Sequence, residues 1–207
     1  MRSFFSERSS QKVVRTIKIV YYIMKELSLN ILDIAENSVK AKATLTDIII
    51  DETDESLTLT IRDNGIGMDE LTVKSVTDPF YTTRKTRSVG LGIPLLKLAC
   101  EQTGGSLSIQ SKTVNEAPDS HGTDVTAVFF KNHIDFTPLG DVISSIVTLI
   151  QGHPDTDFRF THRIGASEVQ LDTRDIRQVL EDVPLDTYEV ILWIRDNLKE
   201  QYDDIYK

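Results

Sequence analysis

Asn30, Asp33, Asn37 and Lys40 fall at helical spacing within the stretch 27–41, LSLNILDIAENSVKA, and their types are those that bind ions and move protons. On a 3.6-residue period they form one narrow polar stripe. Leu27, Ile31, Ile34, Ala35 and Ser38 share another face, flanked by Leu32 and Val39. A helix with apolar residues on two flanks is expected to be buried, and a buried Asp and Asn must find partners in the protein or in a ligand. A merely amphipathic surface helix would be the plainer alternative. Two glycine-rich stretches follow. In DNGIGMDE, Gly65 and Gly67 permit positive φ and a close approach of backbone to a ligand, although an ordinary hairpin turn would use the same residues. In GLGIPLLKLACEQTGG, Gly90 and Gly92 open a helix whose first amides favour an anion, with Arg84, Lys85 and Arg87 just upstream. A lone GxG does not identify a nucleotide site, and isolated surface cations are more often simply solvated.

The elements that must position these residues can be read from periodicity. Residues 46–51 (TDIIID) and 56–63 (SLTLTIRD) read as strands joined by an acidic turn, and a short helix is expected around 69–76. The stretch 78–89, DPFYTTRKTRSV, is polar, basic and aperiodic, with the length of an active-site lid. A helix tolerating Pro94 in its first turn ends at Gly104 and Gly105, and two more strands, 106–111 and 124–130, flank a polar loop ending in Gly122 and Thr123. Hairpin-paired strands with helices on one face predict an α+β sandwich. The order is not a strict βαβ alternation, which disfavours a Rossmann fold, and GxxxxGK[ST] is absent.

Composition narrows the function classes. The chain of 207 residues is 40% hydrophobic, enough for a substantial core, and its net charge of -9 argues against a general nucleic-acid binder. The single cysteine, Cys100, precludes an internal disulfide and lies in an apolar run, which predicts a structural role and fits a reducing cytosol. No apolar run reaches the roughly 20 residues of a bilayer span, so no membrane insertion is expected. The basic head of the chain lacks a signal peptide's apolar core and cleavage site. Residues 1–23 therefore read as a dispensable N-terminal extension, with Met24 as an alternative start.

The ordered blocks DIAENSVKA, DNGIGM, DPFYTTR, GLGIPLLK and GTDVTAVFF resemble the ATP-binding domain of the superfamily of gyrases, heat-shock chaperones, mismatch-repair ATPases and sensor histidine kinases. The resemblance, over about 27–130, implies a Bergerat-type two-layer α/β sandwich with a mixed, largely antiparallel sheet. It implies Mg2+ and ATP as cofactors. By position, Asn37 would hold Mg2+ through its carbonyl oxygen, Asp63 would accept the adenine amino group, and Gly65, Gly67 and Met68 would pass close to the base. Thr82, Thr83, Arg84 and Lys85 belong to the implied lid, Gly90, Leu91 and Gly92 to the phosphate-binding turn, and Thr123 to the adenine pocket. Lys40 is a candidate for phosphate charge or catalysis.

Asp33 is the informative departure. Four residues before the metal-binding asparagine, the chaperone, mismatch-repair and anti-sigma kinase branches carry Glu, and many histidine kinases carry Asn. Asp keeps the charge and loses roughly 1.5 Å of reach, so it is a candidate general base or a residue that supports the metal's ligands. Lys40, DPFYTTR and GLGIPLLK resemble the histidine-kinase branch, with Ser88 where that branch commonly has another Gly.

A histidine kinase also needs a phospho-accepting histidine on a helical hairpin. HIDFTPL, from His133, imitates that motif but follows a strand, which predicts a linker histidine. Residues 24–131 are expected to form the ATP-binding domain and 132–207 a small α+β C-terminal unit: a helix, a hairpin around Gly165 with His162 on its packed face, and two helices split at Pro184. The leading expectation is a cytoplasmic Mg·ATP-binding protein with slow ATPase or protein-kinase activity that regulates a partner protein. The rival is a non-catalytic nucleotide sensor whose lid orders on ATP. A full histidine autokinase is a third.

Overall fold

Alternation along the strands sets the architecture. In the computed structural model, which describes residues 26–77 and 91–207, β1 (Leu45–Glu52), β2 (Ser56–Asp63), β3 (Ser106–Lys112), β4 (Gly122–Phe130), β5 (Asp157–Ile164) and β6 (Ser167–Asp172) form one sheet in the order β3-β4-β2-β1-β5-β6. All neighbours are antiparallel except β1 and β5, which run parallel. Every second residue, including Ile48, Ile50, Leu57, Leu59, Ile61, Val125, Ala127, Phe129, Phe158, Phe160, Val169 and Leu171, is buried.

These rows pack against α1 (Leu27–Lys40), α3 (Gly92–Gln102), α4 (Val142–Gly152) and α6 (Tyr188–Ile205), while α2 (Glu70–Val76) and α5 (Thr173–Leu180) are short peripheral turns. This is the expected Bergerat-type α/β sandwich. The opposite face of the sheet is closed by polar pairs between residues directly opposite in register: Asp47 with Arg159 at 2.6 Å, Asp51 with Arg163 at 2.8 Å, and Arg62 with Asp124 at 2.8 Å. These cross-strand pairs make that face largely polar, with Phe130 exposed at its end.

The sequence reading divides the chain at residue 131, and the sheet runs across that boundary. β5 adds to β1 through a full eight-residue parallel register, Leu45 to Asp157 through Glu52 to Ile164. Side chains from both parts, such as Ile34 of α1 and Ile146 of α4, belong to one hydrophobic core. The linker before α4 also completes α1. Glu26 at the helix start supplies no side-chain cap, and the amides of Leu27 and Ser28 donate instead to the carbonyls of Pro138 and Leu139 at 2.9 and 2.8 Å. Cys100 is buried in the core with its thiol pushed up to about 11 by that burial, which makes it structural.

At the far end of β1 a polar network ties α6 to the sheet. Buried His162 meets Tyr202 Oη through Nδ1 at 2.8 Å and Glu52 Oε2 through Nε2 at 3.1 Å, and Lys131 Nζ donates to Glu52 Oε1 at 2.6 Å. Burial holds the imidazole below its ordinary pKa, with Glu52 partly opposing. The folded protein thus binds fewer protons at His162 than the unfolded chain does, so this contribution to stability is present above about pH 6.5 and is lost as pH falls through the window below it. Thermal melts from pH 8 to 5.5 should show a falling melting temperature, with a shallower fall in His162→Gln. An equal slope in the two proteins would rule out His162 as the source.

Candidate functional site

The site begins where β2 ends. Asp63 stands directly opposite Thr46 of β1 on one side and Thr123 of β4 on the other, at the edge of the core. Its carboxylate is fixed from two directions: Ser38 Oγ donates to Oδ2 and the Gly65 amide donates to Oδ1, both at 2.9 Å. The turn that follows is stitched to the end of α1, because the Ile66 amide donates to the Ala41 carbonyl at 2.9 Å. Gly67 has φ +70°, and a Cβ there would run into the backbone carbonyl of Lys112, so only glycine lets the turn lie against β3.

Ser111 joins this turn to the last strand. Its Oγ accepts from the Met68 amide at 2.7 Å and donates to the Gly122 carbonyl at 2.9 Å, so the Thr123 hydroxyl, 2.8 Å away, is the donor of that contact. His121 Nδ1 lies 2.5 Å from the Gly65 carbonyl, which can only accept, and this fixes the proton on Nδ1. Thr46 Oγ1 is completely buried beside Asp63 and has no partner among the described residues. An orphaned hydroxyl next to a preset carboxylate fits a pocket built for a polar, amine-bearing ring and its bridging water.

The second half of the site lies two turns earlier on α1. Gly92, the first residue of α3, sits against Asp33 so closely that a Cβ on Gly92 would collide with Asp33 Oδ2. Burial holds the Asp33 carboxyl above the ordinary carboxylate range; the charge of Lys40 opposes this and that of Glu36 adds to it. Asn37, one turn on, is exposed, and its side chain makes no hydrogen bond to another described residue. Lys40 Nζ lies 3.6 Å from Glu36 Oε2, and Glu36 Oε1 is 2.7 Å from His153 Nε2. That contact with His153 is the main reason the Glu36 carboxyl is held below its usual range. A free amide carbonyl, a carboxylate and an ammonium on one stripe, facing the start of a second helix, fit Mg2+ and a phosphate chain.

The structure therefore places Asp33, Asn37 and Lys40 along α1 with Gly92 against Asp33, and gathers Asp63, Gly65, Gly67, Met68 and Thr123 around the turn after β2. Leu91 caps α3 through its backbone, its carbonyl accepting from the Leu95 amide at 2.8 Å. Thr82, Thr83, Arg84, Lys85 and Gly90 lie outside the described residues. His133 is far from the cleft: Thr123 and Phe130 stand at opposite ends of β4, about 23 Å apart at the usual rise per residue. The residues missed by the sequence reading are Ser38 and Ser111, which preset the pocket, and Glu36 and His153 beside Lys40. Ser38 left a signal, a hydroxyl on an otherwise apolar helix face; Ser111 and His153 left none.

Comparison with known proteins shows the family of the chain. Residues 17–134 match the family described as histidine kinase-, DNA gyrase B- and HSP90-like ATPases. A putative sensor protein of Shewanella frigidimarina is 31% identical over 103 residues, 48% of this chain and 15% of its own length. The tetrathionate sensor histidine kinase TtrS of Salmonella typhimurium is 31% identical over 94 residues, 45% of this chain and 15% of its own. The chain thus spans about 15% of the length of these curated relatives. The N-terminal domain of a DNA repair protein shares the fold, with a TM-score of 0.52 and 17% identity over 74% of this chain and 55% of that one.

The contact between Asp33 and Gly92 makes a prediction independent of any ligand. Gly92→Ala should cost about 1 kcal/mol in urea unfolding, because the carboxylate must swing away, and the loss should largely disappear in an Asp33→Ala background. Additive effects of the two substitutions would show that the two residues do not touch.

Proposed function

The chain belongs to the histidine kinase-, DNA gyrase B- and HSP90-like ATPase family, and from that premise we propose that it binds Mg·ATP in the cleft between α1 and the 63–68 turn and uses it slowly, as an ATPase or protein kinase that regulates a partner protein. The observation that carries this reading is the pair of preset carboxylates at the two ends of the cleft: Asp63, pinned by Ser38 and Gly65, and Asp33, pressed against the first turn of α3. In this reading residues 24–131 form the nucleotide-binding part, extended by the α+β segment 132–207. The cytoplasm, which supplies ATP, is its proposed location; no helix among the described residues is long and apolar enough to cross a membrane.

Asp63 would accept a hydrogen bond from the adenine amino group, with Thr46 and Thr123 on either side, and Met68 would lie against the ring. Asn37 would offer its carbonyl oxygen to Mg2+, which neutralises phosphate charge when bound. Lys40 would contact a phosphate. Asp33 would take the proton from the attacking water or hydroxyl as its oxygen bonds to the γ-phosphorus, while the bridging P–O bond breaks and its electron pair leaves with ADP. A carboxyl held above its usual range by burial is a better proton acceptor than an exposed aspartate.

Two substitutions separate binding from turnover. Asp63→Asn should abolish the rise in melting temperature caused by ATP. Asp33→Asn should keep that rise but lower phosphate release or protein labelling from γ-labelled ATP by about 100-fold. Release equal to the unsubstituted protein would leave the cleft as a nucleotide sensor without catalysis.

A further inference from the structure

We propose that His153 is a positioning residue for Lys40: by holding Glu36 from the side of α4, it leaves the lysine ammonium available to a nucleotide phosphate. The inference rests on the reading that the cleft binds ATP. Glu36 and Lys40 are four residues apart on α1, the spacing at which a glutamate and a lysine normally pair directly. Here they do not close. Nζ to Oε2 is 3.6 Å, beyond the 2.7–2.9 Å of a direct charge-assisted hydrogen bond, whereas Glu36 Oε1 meets His153 Nε2 at 2.7 Å. One carboxylate oxygen is held by the imidazole, and the lysine stands at ion-pair distance from the other without a close hydrogen bond.

The placement of His153 follows from the fold. It is the C-cap of α4, with its amide donating to the Leu149 carbonyl at 3.0 Å and its carbonyl accepting from Thr156 at 3.0 Å, and α4 packs against α1. Its ring is therefore delivered by the helix end to the flank of the polar stripe. The field of Lys40 and of Glu36 also reaches Asp33, so the same carboxylate acts on both charged groups of the cleft. Without His153, Glu36 is free to close on Lys40 and withdraw it from the phosphates. Conversely, a phosphate that draws Lys40 away leaves Glu36 to His153 alone, so nucleotide binding and the seating of α4 on α1 reinforce each other. A segment outside the nucleotide cleft thus gains a direct hold on its phosphate end.

Isothermal titration of the full chain with ATP tests this. His153→Ala should weaken binding about threefold, the size of one exposed charge interaction. Glu36→Gln should bind no more weakly than the unsubstituted protein, and His153→Ala should have no effect in a Glu36→Gln or a Lys40→Gln background. His153→Gln, which can still donate to Glu36, should retain affinity and guards against a fold defect in the alanine variant. An unchanged affinity in His153→Ala, or an equal loss in the Glu36→Gln background, overturns the inference while ATP binding stands. No heat from the unsubstituted protein, or ATP binding undiminished by Asp63→Asn, overturns the nucleotide reading and this inference with it.

Discussion

An α-helix that is buried on most of its circumference can present polar groups along only one line, and here that helix is α1, packed against β1, β2, α3 and α4 together. Leu27, Ile31, Ile34 and Ala35 are all within 2% of complete burial, so no register shift or rotation of α1 is available without exposing them. The line that remains carries Asp33, Asn37 and Lys40. Its amino end is closed by the carbonyls of Pro138 and Leu139, its carboxyl end by the turn after Asp63. Both halves of the cleft are thereby referred to a single rigid rod, which is the form of preorganisation that positioning chemistry requires.

The continuity of the sheet gives the C-terminal segment a share in this rod. A parallel strand needs a crossover, and the chain supplies one through the 131–141 linker and α4, which lies on α1 before β5 enters beside β1. The stretch HIDFTPL lies in that connection. Within it the carbonyls of Pro138 and Leu139 cap α1, and the His133 side chain pairs with Asp135. The TPL ending thus serves the geometry of the backbone.

Local pattern made most of this legible. The apolar faces of α1 and of the strands specified the sandwich, and the glycines of DNGIGM specified the tight turn after β2. Residues joined only by tertiary structure left no such trace. Nothing in the run of sequence couples Ser111 to Met68, 43 positions away, or His153 to Glu36, 117 positions away. The parallel pairing of β5 with β1 was hidden for the same reason: DFRFTHRI reads as half of a local hairpin with β6, and its other neighbour is more than a hundred residues upstream. Periodicity reports which face is buried and is silent on which strand it is buried beside.

Asp33 brings the two levels together. Read as sequence, aspartate in place of glutamate poses a problem of reach, since one methylene is missing between the helix and the cleft. The packing answers it from the other side. Gly92 has no side chain, so the first turn of α3 comes up to the Asp33 carboxylate itself, at a separation where even a methyl group could not fit. The shorter acid and the glycine are complementary, each making sense only beside the other. Burial in this packing holds the Asp33 pKa up, and the charge of Lys40 opposes that rise. A glutamate in this position would press into α3 or turn outward toward solvent; an asparagine would fill the space without accepting a proton. The residue found is the one whose length suits the helix contact.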